Sequence, residues 1–192
     1  MCQSLLQSTA FFSFLLSIDQ DLAREAGAAR CRCCGGRLHQ ACYPRKPRGA
    51  QCPLDPAYRQ RCSFCCATCR RRTTPCSVRF LGRRVYLGVV MTLACALTTG
   101  LSLRRAGVLT VHLHVPLRTL QRWRHWWLED FVQTPFWQAK RALLMPPAAE
   151  SALPESLYSR FQAVDEAASW SCLLRFLTPL SSRTANTSGE GR

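Results

Sequence analysis

The chain has 192 residues, 47% of them apolar, and a net charge of +15. That apolar share excludes global disorder, and the length allows one or two small domains. Only eleven acids stand against 26 Lys and Arg, which argues against metal-dependent strand transfer, a reaction that needs two or three converging carboxylates. Between residues 26 and 128 the one acid is Asp55. Glu129-Asp130 read as a solvated helix end and Asp165-Glu166 as a helix cap. No His–Cys nucleophile pair stands out, so the expectation is a protein that is not an enzyme and has no small-molecule substrate.

Residues 1–29 are expected to form an N-terminal helix over 3–26. Leu5, Phe11, Phe12, Leu15, Leu16 and Leu22 supply its apolar face, Asp19, Gln20, Arg24 and Glu25 its polar end, and Gly27 its stop. The run Ala10–Ile18 has the look of a signal-peptide core, but no basic residue leads it and Asp19 and Asp21 follow at once. It is too short to span a bilayer. A packed helix is the expectation.

Residues 30–82 are expected to form a small β zinc ribbon. Thirteen cysteines are an odd number, and the adjacent pairs Cys33-Cys34 and Cys65-Cys66 suit simple disulfide bridging poorly. Their spacing instead offers C-x-x-C at Cys31/Cys34, with two further registers at Cys62/Cys65 and Cys66/Cys69. Two such knuckles direct four thiolates at one metal ion in a tetrahedron. The expected ligands of one structural zinc are Cys31, Cys34, Cys66 and Cys69, with Cys65 the rival of Cys66. Cys33, His39, Cys42 and Cys52 are further candidates that read equally as ordinary packing or polar residues. Residues from Arg37 alternate like a strand, Arg45–Gly49 read as a basic loop that proline keeps from helix, and Arg59–Phe64 read as a return strand.

Charge concentrates in the same region. Residues 30–84 hold fourteen Lys and Arg against Asp55 alone. Such a block suits a polyanion, most simply nucleic acid, with Arg45, Lys46, Arg48, Arg70, Arg71 and Arg72 as phosphate contacts. A solvated basic face is the plainer alternative.

Residues 83–145 are expected to be helical and to contain a helix-turn-helix. The apolar stretch from Arg83 to Thr99 is helix-length, with Cys95 in the packing and Gly100 as its end. Beyond it, Leu109, Leu113, Val115, Leu120 and Trp123 are spaced four, two, five and three apart. That fits a first helix, a turn at Val115, and a second helix from Pro116 to Phe131 with Leu120, Trp123 and Trp127 inward. At 100° per residue Arg118, Gln121, Arg122 and His125 then face outward, as donors to phosphates and base edges. His114 holds the turn position that usually takes Gly. An amphipathic helix with an arginine-rich solvent face satisfies the same pattern. Thr134-Pro135 opens a short helix, and residues 146–180 carry two more, entered at Pro154 and Asp165. The tail 181–192 is polar and expected to be disordered.

Several strings carry a resemblance: Cys34-Gly35-Gly36-Arg37-Leu38-His39, Tyr43-Pro44-Arg45-Lys46-Pro47-Arg48-Gly49, Ser63-Phe64-Cys65-Cys66, Arg70-Arg71-Arg72-Thr73-Thr74-Pro75, Arg79-Phe80-Leu81-Gly82-Arg83-Arg84-Val85-Tyr86, and Arg122-Trp123-Arg124. With them the chain, over about residues 11–180, resembles bacterial mobile-element-associated proteins with a cysteine-rich half and a transposase-like helix-turn-helix half. That group keeps a C-x-x-C before Gly-Gly and a Cys-Cys pair followed by another Cys, features that fall on Cys31, Cys34, Cys65, Cys66 and Cys69. Cys42 and Cys62 look like local additions. The group has no established activity, so the resemblance implies context and fold. The resulting expectation is a mainly α protein with a small β zinc ribbon, a helical bundle with a helix-turn-helix that binds the DNA of a transposable element. Its alternatives are an adaptor for a larger transposase and a non-functional element remnant. DNA is the expected partner, with a transposase or self-association besides, and no membrane. The expected location is the cytoplasm, on the nucleoid when DNA is bound.

Overall fold

The computed structural model describes residues 2–82 and 86–181. Helix dominates, with a three-stranded and a two-stranded antiparallel sheet in the segment that follows the N-terminal helices. Among the described residues no helix is long and apolar enough to cross a membrane.

The N-terminal run is two helices, α1 (Cys2–Leu5) and α2 (Thr9–Ala28), not the single one expected. Ser8 divides them, because its side-chain oxygen accepts the Phe11 N–H at 3.2 Å and caps α2. Phe11, Phe12, Leu15, Leu16 and Ile18 are buried, so the apolar run lies in the core. Gly27 does not stop α2, which continues to Ala28. Its role is proximity, since a Cβ there would stand 2.8 Å from the Phe64 ring. Asp19 belongs to the interior as well: it is buried, not part of a polar end.

The strands follow one long antiparallel register. β1 (Leu38–Gln40) pairs with β4 (Phe64–Cys66), and β2 (Tyr43–Pro44) pairs with β3 (Gln60–Arg61). β5 (Arg72–Thr73) adds to the far side of β4. The expected return strand is thus two short ones, broken at Cys62-Ser63. Asp55, the lone acid of the basic block, caps the 3-10 turn Pro56–Arg59 by accepting the Ala57 N–H at 2.7 Å. That turn delivers Tyr58 into the core, where its hydroxyl donates to the Phe12 carbonyl at 2.8 Å.

Helix α3 (Gly88–Thr98) is apolar on every side, and Val89 to Cys95 are all buried. Around it pack α4 (Leu103–His112), α5 (Leu117–His125), α7 (Glu155–Tyr158) and α8 (Glu166–Phe176). The short α6 (Pro135–Lys140) has the expected Thr134 cap and first-turn Pro135. Asp165 caps α8 as expected, accepting the Ala168 N–H at 2.6 Å. The reading helix expected to reach Phe131 ends as a regular helix at His125. It widens there into a π turn over Trp126–Asp130, in which the Phe131 N–H donates to the Trp126 carbonyl at 2.7 Å. The wider turn seats Phe131 against Trp126, Trp127 and Trp137. One cluster of buried apolar side chains runs from Leu5 to Leu180. Ser181, assigned to the tail by its polarity, is buried and accepts the Ser77 N–H at 2.7 Å. The remainder of that tail, 182–192, and Arg83–Val85 lie outside the described residues.

Candidate metal centre and basic surface

Cys31–Gly36 and Cys66–Arg71 are one turn built twice. In the first, the Gly35 N–H donates to the Cys31 carbonyl at 2.8 Å and the Cys31 N–H to the Gly36 carbonyl at 2.9 Å. In the second, the Arg70 N–H donates to the Cys66 carbonyl at 3.2 Å and the Cys66 N–H to the Arg71 carbonyl at 3.0 Å. The residue after the second cysteine is left-handed in both, Gly35 at φ 69° and Arg70 at φ 59°. The Gly at the first turn is a legible signal of this shape. Arg70 hides the same shape, because a non-Gly residue rarely adopts it.

Pairing of β1 with β4 brings the two turns together. Leu38 faces Cys66, and the Ala67 N–H donates to the Arg37 carbonyl at 2.9 Å. The Cys31 and Cys69 sulfurs are 3.6 Å apart and those of Cys34 and Cys66 are 3.5 Å apart. All four lie within 4.8 Å of one another. A tetrahedral tetrathiolate with bonds of about 2.3 Å has its sulfurs about 3.8 Å apart, so this set could hold a metal ion. Gly36 permits the approach: a Cβ there would meet Thr68 Oγ1 at 2.7 Å and Cys66 Sγ at 2.9 Å.

Cys65 is left out, although its spacing rivalled that of Cys66. Neighbours in a strand point to opposite faces, and the Cys65 thiol turns to the Arg70 carbonyl at 3.5 Å. Among the described residues Cys33, His39, Cys42, Cys52 and Cys62 are also outside the group of four.

The electrostatics of the four suit a cation. The Cys69 N–H donates to Cys66 Sγ at 3.5 Å. That amide is the main cause that favours the Cys66 thiolate; burial opposes it, and the Thr68 amide and neighbouring thiols carry the thiol down to about 6. The Cys33 and Cys34 amides lower Cys31 in the same way, against burial. For Cys69 the Arg71 amide also favours the thiolate, but hydrogen bonds shared with Cys34, Cys31 and Cys66, together with burial, push it up to about 12. Four sulfurs this close cannot all ionise without a positive charge among them.

The turn between α4 and α5 closes with two bonds. The His114 N–H donates to the Val111 carbonyl at 3.1 Å and the Val115 N–H to the Thr110 carbonyl at 3.0 Å. His114 sits at φ 53°, in the position where glycine is commonest. Leu113, Val115, Leu120, Trp123 and Trp127 are buried, while Arg118, Gln121, Arg122 and His125 are exposed. The side chain of Leu109, expected beside them, lies outside the described residues.

The basic loop lies beside this unit. The Leu87 N–H donates to the Arg48 carbonyl at 3.0 Å, and the Tyr86 ring packs edge-on to Trp123 of α5 at 4.9 Å. Gln51 Nε2 donates to the His112 carbonyl at 2.8 Å. Arg48, Tyr86 and His114 line one open cleft of about 610 Å³. Lys46 and Arg48 are exposed, whereas the Arg45 guanidinium lies over the Phe80 ring at 5.1 Å. Arg70, Arg71 and Arg72 are exposed next to the two cysteine turns, with Arg72 over the Tyr43 ring at 5.8 Å.

Sequence reading missed the buried pair Asp19–Arg79, in which Arg79 Nε lies 2.6 Å from Asp19 Oδ2. No local pattern marks it, since the two are 60 residues apart. Comparison of the chain with protein-family profiles, curated proteins and solved structures found no match.

Proposed function

We propose that the chain is a DNA-binding protein of a transposable element. One structural zinc ion is held by Cys31, Cys34, Cys66 and Cys69, and α4, its turn and α5 work as a helix-turn-helix. Strand transfer is not its task. The observation that carries this reading is the rotation of α5. Burial of Leu120, Trp123 and Trp127 leaves Arg118, Gln121, Arg122 and His125 on the open face. Arginine and glutamine are donors suited to guanine and adenine edges in a major groove. Placement of Arg48 next to this unit supports a shared basic surface. Zinc is the metal of choice because four thiolates at tetrahedral spacing suit a soft, redox-inert ion. The element context rests on the sequence resemblance alone.

The test is duplex selection from a random pool followed by a salt titration. Binding should weaken steeply with salt, because each phosphate contact releases counterions. If Arg118→Ala/Arg122→Ala binds every duplex as tightly as the parent, α5 is not a reader.

One observation favours a second reading, an adaptor that docks a larger protein. Val108 and Val111 of α4 are 60% and 73% exposed. An apolar contact through them would change little with salt, which separates the two readings.

A further inference from the structure

A second pair of thiols stands apart from the four-cysteine group. Gln40 faces Phe64 and Tyr43 faces Arg61 in the same antiparallel register. Between these pairs the Ala41 N–H donates to the Ser63 carbonyl at 2.8 Å, and beyond them the Arg45 N–H donates to the Arg59 carbonyl at 2.7 Å. Cys42 therefore stands directly opposite Cys62. In an unbroken ladder this is a non-hydrogen-bonded position, where Cα atoms come about 4.5 Å apart; strand pairing is interrupted at 41–42 and 62–63, and the two thiols are close enough to share a hydrogen bond. A disulfide closes over Cα separations of about 4.4–6.8 Å.

The surroundings suit exchange chemistry. Both cysteines are free and half-buried. They border a cleft of about 260 Å³ that Asp19, Gln60 and Arg79 help to line. Gln40 Nε2 donates to Cys42 Sγ at 3.2 Å. Burial works against the Cys42 thiolate, but this bond, the Ser63 amide, Cys62 and the Arg61 charge outweigh it and hold the thiol below its ordinary range. Burial, and next the hydrogen bond and charge of Cys42, hold Cys62 above it, against Arg79 and Arg61. One sulfur is thus primed to attack and its neighbour to follow.

We propose that Cys42 and Cys62 are a thiol–disulfide exchange site for low-molecular-weight disulfides of the glutathione type. The Cys42 thiolate attacks one sulfur of the disulfide, forms a mixed disulfide and releases one thiolate. Cys62 passes its proton to that thiolate and attacks the Cys42 sulfur. The Cys42–Cys62 bond forms, and the second thiolate leaves with the proton first given up by Cys42. Two protein thiols are oxidised while one small disulfide is reduced to two thiols. The new bond closes the segment 43–61, which carries Arg45, Lys46 and Arg48.

Equilibration of the full chain with graded mixtures of reduced and oxidised glutathione tests this. The samples are acid-quenched, alkylated and mapped by peptide mass spectrometry, which reads the pair whether or not metal fills the other site. The expected result is one internal cross-link, Cys42 to Cys62, at ratios where Cys31, Cys34, Cys66 and Cys69 are still reduced. Cys42→Ser and Cys62→Ser should each stop at a mixed disulfide with glutathione on the cysteine that remains. The inference is overturned if Cys42 and Cys62 are both alkylated until the four-cysteine group oxidises, or if either pairs first with another cysteine. The parent chain alone decides between these outcomes, so a variant that fails to fold does not blur the result.

Discussion

Asp19 and Arg79 lock α2 to the segment that follows the strands: Arg79 Nε donates to Asp19 Oδ2 at 2.6 Å, with both side chains 3% exposed. The same carboxylate accepts the Val78 N–H at 2.7 Å and the Ser77 hydroxyl. Remaining guanidinium hydrogens reach the carbonyls of Ala57 and Tyr58, each at 3.4 Å, and of Gln60 at 3.2 Å. A buried charge satisfied this fully has no water to return to when its partner is removed. Asp19→Asn leaves the Arg79 charge uncompensated and should cost about 3–5 kcal/mol. Denaturant unfolding reads it as a lower midpoint at unchanged slope. An unchanged midpoint would show that the pair does not hold the fold.

The metal reading makes a paired prediction. Cys66→Ser removes one of the four grouped sulfurs and should abolish stoichiometric zinc, whereas Cys65→Ser should retain it. In metallated modules of this kind zinc contributes on the order of 10 kcal/mol to folding, so a chelator should unfold the cysteine region. Atomic absorption on both variants and on the parent settles it, and equal metal in Cys66→Ser and parent would remove Cys66 from the ligand set.

Protons and metal should compete for the four thiols. Cys66 in the folded chain titrates at about 6, below its ordinary 9.0. A depressed folded pKa gives stability that is complete above the unfolded value and lost as pH falls through the folded one. In the metal-free chain the Cys66 contribution therefore fades from about pH 9 to about pH 6. Cys69 is raised to about 12 from 9.0, so its contribution is complete below 9 and fades as pH rises toward 12. At pH 7.5 metal uptake must displace the proton from Cys69. Calorimetry in buffers of different ionisation heats should show proton release on zinc binding, and apparent zinc affinity should fall steadily as pH drops, because protons compete with the metal for the thiolates. Uptake with no proton released would contradict this assignment.

Two adjacent glycines should behave differently. At Gly36 a methyl meets Thr68 Oγ1 at 2.7 Å and Cys66 Sγ at 2.9 Å, inside the site. Overpacking of this sort costs about 1–3 kcal/mol, and here it acts on a sulfur of the candidate metal site. Zinc affinity of Gly36→Ala should fall by roughly 5- to 150-fold, that same energy at about 1.4 kcal/mol per tenfold. At Gly35 nothing lies within 4 Å and only the φ of 69° is at stake. Gly35→Ala should cost about 1–2 kcal/mol of backbone strain, seen in unfolding with a smaller change in affinity. Equal losses of affinity at the two positions would reject the contact argument.

What the sequence made legible was what local spacing controls. Two C-x-x-C knuckles named four sulfurs that the fold brings together, because one strand pairing suffices to join them. Strand alternation also separates Cys66 from Cys65, but only once the register is known, and spacing alone cannot supply it. Burial of Leu120, Trp123 and Trp127 was readable at 100° per residue, since two indoles and a leucine fix the rotation of any helix. Gly27 was misread because a helix-end glycine and one that admits a neighbouring ring look alike in sequence. Asp19 was misread because an acid among Gln20, Asp21 and Arg24 resembles a solvated face. Only the distant Arg79 makes it an interior residue.

On the proposed DNA-binding reading, the basic loop and α5 should contribute different things. Arg48 is tied to the helical unit through its backbone, with its carbonyl accepting the Leu87 N–H at 3.0 Å, and that bond survives truncation of the side chain. Its exposed guanidinium and the exposed Lys46 ammonium then act as plain positive charge. Lys46→Ala/Arg48→Ala should weaken binding to all duplexes alike and flatten the salt slope by about 2, at roughly 0.9 for each phosphate no longer neutralised. Arg122→Ala acts on the open face of α5, where removal of a base-edge hydrogen bond should cost about 1–3 kcal/mol and relax preference at one position. Competition with a selected duplex and its point variants, at two salt concentrations, separates the two effects. If the loop variant alters sequence preference while Arg122→Ala changes only the salt slope, the roles are reversed and the loop is the reader.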